Sequence, residues 1–205
     1  MSRVQVFALL LLPLLLVVGL LGAAVVRNVG LFGSYTPEEL RERLRTANEE
    51  GRYHAALLLG ARRDRESVPA LIETLRRDPS GRVRARAAFV LGELGDARAA
   101  APLAESLAVA NGDLQANAAW ALGALKATEA VPGLESLLGH ADTRVRWNAA
   151  AAAAEMGSRR AAPVLREMAA GPDPQAARAG VRLLGAVGEK SDAAALKALS
   201  DRGWG

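Results

Sequence analysis

The chain has 205 residues, of which 51 % are hydrophobic and 23 % charged, and this balance excludes an intrinsically disordered protein. No cysteine is present, so a disulfide scaffold, a thiolate metal site and a cysteine nucleophile are excluded, and the two isolated histidines, His54 and His140, argue against a zinc site. The net charge of +4 arises from 26 basic and 22 acidic residues, three of the basic ones being lysine. Arginine suits bidentate contacts with carboxylate or phosphate, but acids accompany the basic runs 62–66 and 76–77, which therefore read as solvated turns and not as a nucleic-acid patch.

Residues 4–26 read VQVFALLLLPLLLVVGLLGAAVV, with no charge between Arg3 and Arg27. At about 1.5 Å per residue such a helix crosses a bilayer core of about 30 Å. The expectation is a single-pass transmembrane anchor over 1–26, with the remainder of the chain on the exported, periplasmic side. A secretory signal peptide cut after Ala24 is the competing reading, disfavoured by the length of the apolar run. Residues 27–36 form a short linker. A helix then begins, with Thr36 as cap, Pro37 at its first position and Glu39 closing a capping box.

Self-comparison beyond this point shows a repeat. VPALIETL at 68–75, APLAESL at 101–107, VPGLESL at 131–137 and APVLREM at 162–168 align, and AAALKAL at 193–199 continues them without the proline. The anchors Pro69, Pro102, Pro132, Pro163 and Ala194 are spaced 33, 30, 31 and 31 apart. Between them, Gly92, Gly123, Ala154 and Gly185 recur every 31 residues, as do the capping residues Ser80, Asn111, Asp142 and Asp173. Each unit reads as two helices, the first starting near the proline and the second running from the cap to the glycine, which C-capping then explains. Gly60, 32 residues before Gly92, places an earlier unit. About five helix pairs result, at 37–64, 65–97, 98–127, 128–158 and 159–189, with a closing helix near 191–200. Residues 201–205, which carry Trp204, form a tail.

A single pair cannot bury its apolar face, and stacking makes one continuous core. The run V-R-x-x-A-A-x-x-L-G at 83–92 resembles the short HEAT repeats of phycobilin lyases and related bacterial proteins, and the resemblance covers 37–200. It implies an all-α, right-handed HEAT-like α-solenoid in which the second helices line the concave face. It also implies a module that binds proteins, although a few such proteins are enzymes. The motif arginine is present as Arg84 and Arg146, replaced by Gln115 and Ala177 elsewhere, and is expected to bridge to carbonyls or carboxylates of the adjacent repeat.

On the helix at 83–95, Val83, Ala87, Ala88, Leu91 and Leu94 form the apolar stripe, so positions 82, 86, 89 and 93 point away from it. Propagation by the repeat gives a candidate partner-binding groove. Phe89, Trp120 and Trp147 offer apolar platforms, and Asn117 and Asn148 can bond both the N–H and the C=O of an extended peptide. Arg86, Arg178 and Arg182 suit acidic side chains. A helical wheel rotated by about 100° would instead bury Phe89 and Trp120, and Trp147 could cover a seam between repeats.

No nucleophile motif, phosphate-binding glycine loop, metal spacing or recurring carboxylate pair occurs, so neither catalysis nor a cofactor is expected. The sequence therefore predicts a membrane-tethered protein–protein interaction scaffold or an accessory subunit of a membrane complex. The alternatives are an exported peptide-binding solenoid and a lyase- or chaperone-like protein that holds a cofactor in the groove.

Overall fold

The computed structural model describes residues 35–189 together with Asp192, Ala193 and Lys197. The apolar segment 4–26 and the tail 201–205 lie outside the described residues, and among the described ones no helix is long and apolar enough to cross a membrane. These residues form ten α-helices and no strand. They are α1 (Pro37–Thr46), α2 (Glu49–Ala61), α3 (Val68–Arg77), α4 (Gly81–Leu94), α5 (Ala100–Ser106), α6 (Gly112–Leu125), α7 (Val131–Ser136), α8 (Thr143–Glu155), α9 (Ala162–Ala170) and α10 (Pro174–Val187). Of the residues expected to form a closing helix near 191–200, Asp192, Ala193 and Lys197 are described, each with helical backbone.

The starts of the helices follow from local chemistry. The Thr36 hydroxyl accepts from the Glu39 N–H at 3.2 Å, and the Glu39 carboxylate accepts from the Thr36 N–H at 2.8 Å. This reciprocal box satisfies two N–H groups that the first turn leaves without helical partners. Every residue of the cap column does the same for its second helix. Ser80 accepts from the Val83 N–H at 3.3 Å and Asn111 from the Leu114 N–H at 2.9 Å. Asp142 accepts from the Arg144 N–H at 2.8 Å and Asp173 from the Gln175 N–H at 3.0 Å. Asn48 extends the column backwards, accepting from the Gly51 N–H at 2.9 Å. The first helices of the later units instead grow out of short 3₁₀ turns, Arg65–Ser67, Ala97–Ala99, Thr128–Ala130 and Arg159–Ala161. Pro69, Pro132 and Pro163 sit in the opening turns of their helices, where a missing N–H costs nothing.

Helices α2, α4, α6, α8 and α10 pack side by side in one layer, and α3, α5, α7 and α9 each pack on the second helix of their own repeat. The core between them is periodic. Leu71, Leu103, Leu134 and Leu165 form one fully buried column, and Leu59, Leu91 and Leu122 form another. Burying each such side chain stabilises the fold by about 2 kcal/mol. Small residues set the spacing within the second-helix layer. A Cβ added to Gly92 would lie 2.8 Å from the Ala121 Cα and 2.8 Å from Trp120 Cζ3; one added to Gly123 would lie 3.2 Å from the Ala152 Cα.

These contacts correct the reading of the glycine column as C-caps. Gly92, Gly123 and Gly185 lie inside α4, α6 and α10, and the left-handed C-caps are Gly95, with φ 65°, and Lys126, with φ 53°. Gly92 and Gly123 are there because neighbouring backbones approach too closely for a side chain.

Candidate functional site

The stripe predicted on α4 is buried as expected: Val83, Ala87, Ala88, Leu91 and Leu94 are at most 3 % exposed. Arg82 and Glu93 are exposed, and Arg86 and Phe89 are half-buried. The wheel is therefore correctly phased. Trp120 remains 37 % exposed, the large apolar side chain that stands out among the described residues. It lies nearly parallel to Phe89, with centroids 4.7 Å apart and planes at 18°. Gly92 allows this arrangement, since its missing Cβ leaves room for the indole edge.

Arginine extends the aromatic pair towards α2. The Arg86 guanidinium lies 5.6 Å from the Phe89 centroid and 4.7 Å from that of Tyr53, and it donates from Nη2 to the Tyr53 hydroxyl. Arg82 covers the other part of Tyr53 at 4.1 Å. Cation–π attraction of this kind orients guanidinium groups without neutralising them. The residues Tyr53, Arg82, Ala85, Arg86, Phe89, Asp113 and Asn117 line an open depression of about 340 Å³. Tyr53 was not among the residues expected here. The signal for it is the offset of 32 that aligns Gly60 with Gly92, because the same offset places Tyr53 in register with Ala85.

The asparagines serve the scaffold as well as the face. Asn117 Nδ2 donates to the Ala85 carbonyl at 3.1 Å and Asn148 Nδ2 to the Ala116 carbonyl at 2.9 Å. Each amide spends one of its two N–H donors on the preceding second helix, so part of the hydrogen-bonding capacity expected for a peptide serves the scaffold. Trp147 is turned away from the Phe89–Trp120 pair. Its Nε1 donates to Glu167 at 3.3 Å, and its ring edge lies 3.6 Å from where a Gly171 Cβ would be, so it covers the seam between α8 and the α9–α10 turn. Arg182 pairs with Glu155 at 3.2 Å on the exposed surface, and Arg178 is also exposed. The structure thus gathers Arg86, Phe89, Asn117 and Trp120, and leaves Trp147, Arg178 and Arg182 on later repeats.

The motif arginine column holds loops in place. Arg146 Nη1 donates to the His140 carbonyl at 2.7 Å, and its Nε pairs with Glu167 at 3.2 Å. That ion pair holds the Glu167 carboxyl below its ordinary range. Gln115, where the arginine is replaced, donates to the Leu107 carbonyl at 2.9 Å, and Arg52 donates to the Ala47 carbonyl at 3.0 Å. Arg84 departs from the expectation: its Nε is buried with no acceptor among the described residues. A second depression, of about 430 Å³, is lined by Leu44, Arg45, Arg52, Ala70, Glu73, Thr74, Arg77, Asp78 and Pro79. Its cations are matched within the chain, Arg45 by Glu42, Arg77 by Glu73 at 2.9 Å and Arg52 by Asp78 at 2.6 Å, so it offers a ligand no uncompensated charge.

The sequence matches a family model of HEAT repeats over residues 37–114 and 107–185. A comparison with curated proteins found no significant match. Among solved structures, the chain is similar to the complex of CpcE and CpcF of phycocyanin lyase from Nostoc sp. PCC7120, with 25 % identity and a TM-score of 0.50 over 79 % of this chain and 80 % of that one. It is also similar to an engineered protein, with 22 % identity and a TM-score of 0.56 over 74 % of this chain and 78 % of that one. A designed armadillo repeat protein matches with 18 % identity and a TM-score of 0.53 over 80 % of this chain and 88 % of the design. At that identity the two designed proteins speak to the fold alone. With the family model covering most of its length and an all-helical repeat fold to match, the chain belongs to the HEAT-repeat family.

Proposed function

We propose that this protein is a membrane-tethered interaction scaffold, or an accessory subunit of a membrane complex, that binds a protein partner through the concave helix face that its second helices line. The carrying observation is the exposed Trp120, stacked on Phe89 and flanked by Arg86, because large aromatics beside arginine are the usual anchors of protein interfaces. A solenoid displays such a face on a rigid frame, so little ordering is needed at binding. The tether is argued from the uncharged run 4–26, and confinement to a membrane raises the effective concentration of a neighbouring partner. The second-helix face would lie on the exported side. This reading gives the chain no catalytic role.

The similarity to a phycocyanin lyase complex supports a second reading, in which the chain is itself a lyase- or chaperone-like protein that holds a cofactor in the groove. Crosslinking in intact membranes, purification through a C-terminal tag and mass spectrometry of the intact bait distinguish the two. The scaffold reading expects a bait that retains residues 1–24 and carries a stoichiometric protein partner, lost from Trp120→Ala. A bait starting at Val25 contradicts the tether, and a pigment or cofactor bound without a protein favours the second reading.

A further inference from the structure

The charges on the second-helix face are largely matched across neighbouring helices. Glu50 on α2 pairs with Arg82 on α4 at 2.7 Å. Asp113 on α6 pairs with Arg144 on α8 at 2.8 Å, and Glu155 on α8 with Arg182 on α10 at 3.2 Å. Arg86 breaks this pattern. It has no carboxylate within ion-pair distance among the described residues, and its one hydrogen bond there goes to the Tyr53 hydroxyl. Its Nε is buried without an acceptor. Its Nη1 has no acceptor among the described residues, and Arg86 lines the depression together with Tyr53, Phe89 and Asn117. A guanidinium so placed, fixed between two aromatic rings and partly removed from water, is a preformed receptor for a carboxylate.

Resting on the interaction-face reading above, we infer that the partner presents a single acidic side chain close to a large apolar one. The carboxylate docks on Arg86 Nη1, the apolar group on Trp120, and a backbone N–H of the partner on Asn117 Oδ1. The spacing follows from the stack. Arg86 to Phe89 is 5.6 Å and Phe89 to Trp120 is 4.7 Å, so an extended segment rising about 3.3 Å per residue bridges them within two or three residues. Arg82, the other guanidinium lining the depression, is already paired with Glu50, so Arg86 is the cation left for one acid.

The test is a selection of randomised twelve-residue peptides displayed on phage, performed on the full chain in detergent micelles and repeated on Arg86→Gln and Trp120→Ala. Circular dichroism and thermal melts establish that each variant is folded. Enriched peptides are then synthesised with Asp or Glu and with the amide in its place. Wild type is expected to enrich peptides with one acid two or three residues from Leu, Phe, Met or Trp, and the amide versions should bind at least tenfold more weakly. In Arg86→Gln that ratio should fall to about one. Enrichment without any preference for acids, or an unchanged ratio in Arg86→Gln, overturns the carboxylate inference and leaves the Trp120 face standing. Enrichment that Trp120→Ala does not alter, or no enrichment at all, overturns both.

Discussion

Trp120→Ala is the substitution that separates binding from folding. The indole is over a third exposed, and its main protein contact is the Phe89 stack, so the change should lower stability by about 1 kcal/mol while weakening partner binding by about 2 kcal/mol or more. Denaturant melts and binding isotherms on the same variant check both halves; a stability loss of about 3–5 kcal/mol would mark Trp120 as a core residue instead. Asp78→Ala should behave in the opposite way. Asp78 accepts from Arg52 at 2.6 and 2.9 Å and from the Ser80 N–H at 2.9 Å, and its side chain is 3 % exposed. Removing it strands a largely buried guanidinium, with an expected loss of about 3 kcal/mol, while neither Asp78 nor Arg52 lines the depression around Arg86, so peptide binding by the folded variant should be unchanged. At this scale the sequence placed Phe89 and Trp120 correctly, because their helical phase follows from the buried stripe. It did not disclose that Asn117 and Asn148 each commit one N–H to the preceding second helix. That depends on how closely α4, α6 and α8 approach, which the periodicity of one helix does not contain.

At the scale of the element, the glycine column makes a sharp comparison. Gly92 and Gly185 occupy the same repeat position, inside α4 and α10. A Cβ on Gly92 meets the Ala121 backbone at 2.8 Å, which cannot yield cheaply, whereas nothing among the described residues lies within 4 Å of a Cβ on Gly185. Gly92→Ala should therefore destabilise by about 1–3 kcal/mol through overpacking. Gly185→Ala should stabilise by about 1 kcal/mol through helix propensity alone. Urea titrations of the two variants settle this, and equal effects would mean that the column has one shared role. The cap column was legible because a side chain that caps does so within its own turn. The glycine column was visible as a period but misread as capping, since its cause lies on the neighbouring helix.

At the scale of the molecule, ion pairs within turns and between repeats set the acid limit of the fold. Within one turn, Arg98 donates to Asp96 from its side chain and backbone and holds that carboxyl at about 2; between repeats, Arg82, Arg146 and Arg166 hold Glu50, Glu167 and Asp192 below their ordinary values. Carboxyls lowered in the folded state stabilise it above the unfolded value near about 4, and that contribution is lost as pH falls. The melting temperature is expected to be level from pH 7 to about 5 and to fall between about 4 and 2, with the Asp96 share the last to go. Thermal melts across this range at fixed ionic strength check the sign; a melting temperature that rises on acidification would contradict it.

The claim that the second-helix face receives a protein partner is tested most directly by a photo-crosslinking amino acid placed in living cells at one of two exposed alanines. Ala124 lies on α6 one turn from Trp120, and Ala101 lies on α5 in the other layer. The account predicts a discrete crosslinked species from position 124, abolished by Arg86→Gln or Trp120→Ala in the same chain, and none from position 101. Crosslinks of equal yield from both positions, or a species at 124 that survives both substitutions, would contradict it.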